Sequence, residues 1–90
     1  MREAELIIGQ YIRDLPKPTN RYSKTYEQRC HALWAANDIF RAVRQHRNVP
    51  AAVVVENYAD KMDRFSTMHS KTSFMFSVAK DIAEDILDRL

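Results

Sequence analysis

The chain has 90 residues, 46% of them hydrophobic and 29% charged, with a formal net charge of +2, a composition that suits one globular domain and is too short for two. The lone Cys30 excludes an intrachain disulfide, and the lone Gly9 leaves no supply of φ > 0 turns for hairpins or of glycine-rich loops for phosphates. All-β folds and P-loop or Rossmann-type sites are thereby disfavoured, and a fold that stands on packing alone points to a reducing compartment, with cytoplasm as the expected location.

From Ala4 to Leu15 the apolar positions Ala4, Ile7, Ile8, Tyr11, Ile12 and Leu15 repeat at the spacing of one helical face. Gly9 interrupts that face at a cost of about 1 kcal/mol relative to Ala. The helix is expected to end at Leu15, because a residue before proline is pushed out of the α region. Residues 16–23, between that helix and the next, read as an extended linker with polyproline character. Glu3 and Glu5 ahead of Leu6, Ile7 and Ile8 do not make a signal peptide.

A second helix is expected from a cap at Ser23 or Thr25 to about Arg47, free of Gly and Pro. Leu33, Ala36, Phe40 and Val43 form its main stripe, widened by Ala32 and Ile39. Pro50 suits the first turn of a third helix, which carries Ala51, Val54, Val55, Tyr58, Met62 and Phe65 on one face to about residue 65. Ser70, Thr72 and Ser73 offer caps for a fourth. There Met75, Val78, Ala79, Ile82, Ala83, Ile86, Leu87 and Leu90 hold one seam, with Asp85 nearest its edge and Phe76 flanking it. The strongly apolar runs, such as residues 51–55, fall far short of the ~20 residues of a membrane span. The expected architecture is all-α: a three-helix antiparallel core (residues 24–90) plus an N-terminal helix (residues 1–15) on a Pro-containing linker, an up-down helical bundle.

Charge is unevenly placed: residues 1–15 carry net −1, residues 16–50 net +5 and residues 51–90 net −2. The basic middle holds Lys17, Arg21, Lys24, Arg41, Arg44 and Arg47, with Tyr22 and Tyr26 nearby. Cations with neighbouring aromatics suit nucleic-acid phosphates. Arginines in the last turn of a helix also answer its macrodipole without any ligand, and Glu56, Asp60 and Asp63 make the third helix a poor recognition helix.

Catalytic and metal chemistry find little footing. His31, His46 and His69 follow no ligand-spacing motif. Cys30 and His31 are neighbours that diverge by about 100° on a helix, which makes no nucleophilic dyad. Glu27 and His31 share a face at i, i+4, a common surface pairing. No catalytic residue, metal or cofactor is expected.

The residue that fits least well is Trp34. It projects away from the core stripe, among Glu27, Asn37, Asp38 and Arg41. Either the N-terminal helix folds across it, with Tyr11 or Ile12 as partner, or Trp34 meets another molecule, as Trp and Arg commonly do at interfaces. The expected function is a small non-enzymatic module for protein–protein contact, foremost a homodimer, using Trp34, Arg41, Tyr11, Ile12 and Asn37. The alternative is an accessory nucleic-acid-binding protein using the basic 17–47 segment.

Overall fold

In the computed structural model, which describes residues 2–68, 71 and 73–90, the chain forms α1 (Glu3–Asp14), α2 (Tyr26–Gln45), α3 (Ala51–Met68) and α4 (Ser73–Arg89). The expected all-α bundle is what the chain adopts. The helix ends follow local rules. Leu15 is extended (φ −65°, ψ 139°) before Pro16, as a pre-proline residue must be. The Pro50 carbonyl accepts the first backbone bonds of α3, from Val53 and Val54 at 3.0 and 3.2 Å. Thr25 takes the N-cap position of α2 but its side chain caps nothing. Instead the Ser23 hydroxyl accepts from the Thr25 N–H at 3.3 Å. Ser73 is the first residue of α4, whereas Ser70, Thr72 and His69 lie outside the described residues.

Contacts fix the helix directions. Phe65 meets Phe76 (ring centroids 5.2 Å apart) and Lys80 reaches Asp63 at 3.0 Å, so α3 and α4 are antiparallel. The His31 ring faces Phe74 at 5.9 Å at one end, while Ile39 and Val43 share the main core with Ala83 and Ile86. Hence α2 runs beside α4 in the same sense. α1 starts at the C-terminal end of α2 and passes Phe40 at Gly9, antiparallel to α2.

The core is more alanine-rich than the periodicity suggests. α2 buries Ala35, Ala36, Ile39 and Val43, while Leu33, Ala32 and Phe40 are only half-buried. Small side chains let helices approach closely, and the alanines of α2 share their two core clusters with Ala79 and Ala83 of α4. Larger side chains flank that contact. On α3, Val54, Val55, Ala59 and Met62 are buried; on α4, Val78, Ala79, Ala83 and Ile86 are buried, with Leu90 exposed. Ile8 of α1 is fully buried in the same cluster, so α1 completes the core within one chain. Among the described residues no helix is long and apolar enough to cross a membrane.

Two polar contacts fasten α1. The Arg2 guanidinium donates to the carbonyls of Val43, of Arg47 at 3.3 Å and of Val49 at 3.1 Å. These lie in the last turn of α2 and the loop behind it, where helical carbonyls lack partners of their own. Buried Glu5 lies 3.8 Å from the Arg2 Nε. At the other end of α1, Tyr11 donates to Asp85 at 2.8 Å, and the Arg89 guanidinium lies 4.8 Å from its ring centroid.

Candidate partner-binding face

α1 has 12 residues and α2 has 20, about 18 and 30 Å at 1.5 Å per residue. Because α1 begins at the C-terminal end of α2, the shortfall falls on the N-terminal part of α2. The outward face of α2 stays open beyond that shortfall as well: Trp34 is 60% exposed, and Asn37, Asp38, Arg41 and Arg44 are exposed at the level that α1 spans. Glu27, Trp34 and Arg41 are spaced by seven residues, two helical turns, and so stand in one row. Asn37 and Asp38 flank that row.

Trp34 is supported from one side. Its ring meets His31 edge to face at 5.6 Å, and His31 in turn meets Phe74, itself half exposed. This geometry suits the aromatic quadrupole and holds the indole without covering it. Glu27 lies 3.4 Å from the His31 Nε2, and Arg41 lies 3.4 Å from Asp38. Among the described residues no three His, Cys, Asp or Glu side chains converge on a metal-sized site. Cys30 is a half-buried free thiol.

The structure separates the residues grouped at Trp34 from sequence. Trp34, Asn37 and Arg41 are exposed together on α2. Tyr11 is 4% exposed and turned to Asp85, and Ile12 packs against the main core. Of the two fates read for Trp34 from sequence, cover by α1 with Tyr11 or Ile12 as partner is not what the chain adopts. The assignment of Tyr11 and Ile12 to the interface is corrected: α1 packs on the other flank of α2 and places both against the core. Burial, reinforced by the hydrogen bond to Asp85 and that carboxylate's charge, raises the Tyr11 phenol well above its ordinary range. The half-buried Tyr58 phenol is pushed up to about 12 by burial and then by the charge of Asp38.

The basic residues also divide. Arg41, Arg44 and Arg47 line an open depression of about 790 Å³ together with Trp34 and Asn37, and Asp38 gives it an acidic wall. Lys17, Arg21 and Lys24 are exposed but do not line it. The Lys17 ammonium donates to the Ile12 carbonyl at 2.8 Å, closing the end of α1, and Arg44 lies over Phe40 at 5.7 Å.

Sequence reasoning missed a groove between α2 and α3, which touch each other less than either touches α4. This space of about 420 Å³ is lined by Ala35, Tyr58, Met62, Phe65 and Phe76, with Arg41 and Lys61 at its margin. It adjoins the Trp34 face, and both share Trp34 and Arg41. Its signal in the sequence was the wide apolar arc of α3 and Phe76 beside the α4 seam. No family model matches the chain, and neither the curated proteins nor the solved structures gave a match.

Proposed function

We propose that the protein is a non-enzymatic helical interaction module that binds a protein partner, foremost a second copy of itself, through the outward face of α2. One observation carries this reading: Trp34 is 60% exposed on a helix whose inward face is already packed by α1, α3 and α4. A Trp contributes roughly 150–250 Å² of apolar surface when covered, and the fold leaves most of that to solvent. Arg41 and Asn37 beside it add the polar contacts that give such a face orientation. Sedimentation equilibrium across a micromolar range tests this. A reversible dimer is expected for the native chain and a monomer for Trp34→Ala; a native chain that stays monomeric throughout rejects self-association.

The second reading, accessory nucleic-acid binding, rests on the three arginines that share the depression with Trp34. An indole can stack on a base while guanidiniums hold phosphates. Titrating Trp34 fluorescence with a single-stranded oligonucleotide at low and high salt tests it. Quenching that weakens steeply with salt, and less steeply in Arg44→Ala, supports this reading; no quenching, or quenching indifferent to salt, rejects it.

A further inference from the structure

From the row of side chains on α2 we infer that the occupant of this face is a second copy docked by its own α2, antiparallel, with the two-fold axis at Trp34. The inference rests on the interaction reading above and adds its geometry. Glu27 stands seven residues before Trp34 and Arg41 seven after, on one line of the helix. Their side chains are 75% and 68% exposed.

A two-fold axis through Trp34 sets position 34 − n opposite position 34 + n of the other copy. Trp34 then meets the partner's Trp34, and Glu27 meets the partner's Arg41 at both ends of the contact. Each Arg41 keeps its own Asp38, 3.4 Å away, and gains a second carboxylate. A parallel pairing does the reverse: Glu27 faces Glu27 and Arg41 faces Arg41, with like-charge repulsion at both ends. Charge therefore selects one orientation, as it does in paired helices elsewhere.

Like-charge approach is confined to the rim. Arg44 would come opposite the partner's Lys24, but Lys24 precedes Thr25, the N-cap of α2, and is not held on the helical line. The His31 ring, itself against Phe74, already holds the indole on one side, so little side-chain freedom is lost on docking. A contact built on one helix pair is small beside the ~800 Å² per partner of standard interfaces, which suits a weak, reversible dimer.

A charge-swap series read by sedimentation equilibrium tests the orientation, with circular dichroism confirming that each variant is folded. Glu27→Arg alone and Arg41→Glu alone should each weaken the dimer about tenfold, since two attractive pairs per dimer become repulsive. The double variant E27R/R41E restores both pairs with their signs exchanged and should return the dimer to near native strength. Two results overturn the antiparallel register while leaving the interaction reading in place, provided the native dimer is lost in Trp34→Ala. One is a double variant at least as weak as the singles; the other is a pair of singles as strong as the native chain. A native chain that is monomeric throughout overturns both readings.

Discussion

The inward and outward faces of α2 are built differently. On the inward face Ile8 and Tyr11 of α1 are buried against the bundle, and at the C-terminal end the carbonyls of Val43, Arg47 and Val49 are held by Arg2. On the outward face the aromatic set of His31, Trp34 and Phe74 supports itself while two of its members stay exposed. One helix thus presents core on one face and an open aromatic and charged surface on the other. What decides between them is the flank of the helix on which α1 packs. Substitutions on the inward face should cost stability, and those on the outward face should cost association.

The largest effect is expected at Ile39, fully buried in the main core. Ile39→Ala should destabilise by about 2–5 kcal/mol, read from urea midpoints with an unchanged m-value. Arg2→Ala comes next. It removes the guanidinium that joins α1 to α2 and leaves Glu5, 4% exposed, without its cation, at a cost of about 2–3 kcal/mol. Faster amide exchange at the end of α2 would accompany it; a loss below about 0.5 kcal/mol would contradict the clamp.

Alkaline pH should loosen the packing around Tyr11 and Tyr58. The Tyr11 and Tyr58 phenols titrate higher in the folded chain than the ordinary value of 10.0. A folded-state pKa above the unfolded one gives stability that is intact below about pH 10 and declines as pH rises toward the folded values. Tyr11→Phe should flatten part of that decline, and an equally steep decline in the variant would exclude Tyr11 as a cause. The smallest effect has the opposite sign. A Cβ at Gly9 would meet only Arg13 at 3.7 Å and Phe40 at 4.0 Å, and the residue has no positive φ. Gly9→Ala should therefore stabilise by about 0.5–1 kcal/mol, read as a raised urea midpoint.

The helices themselves were legible in the sequence because apolar spacing encodes them, and Pro16 and Pro50 mark the boundaries they should. The inward stripe of α2 was less so. Ala36, Ile39 and Val43 are buried as expected, but Leu33 and Phe40 only look like core by size, and Ala35 takes a place at the centre because close helix contact favours small side chains. Trp34 could be placed on the outward face from the helical wheel. That α1 would leave it open could not, since periodicity says which face of α1 is apolar and not on which flank of α2 it docks. The Arg2 contacts span more than 40 residues of sequence and leave no local trace. Asp85 at the edge of the α4 seam was a visible hint of the Tyr11 hydrogen bond, but its partner was not.

Whether Trp34 serves association or the fold can be read from how the thermal midpoint depends on protein concentration. For the native chain the midpoint should rise with concentration, as mass action requires of a dimer. For Trp34→Ala it should be independent of concentration and within about 4 °C of the native value at high dilution, the shift that corresponds to a surface change of ~0.5 kcal/mol. A native midpoint indifferent to concentration, together with a much lower midpoint for Trp34→Ala, would show instead that the indole belongs to the fold.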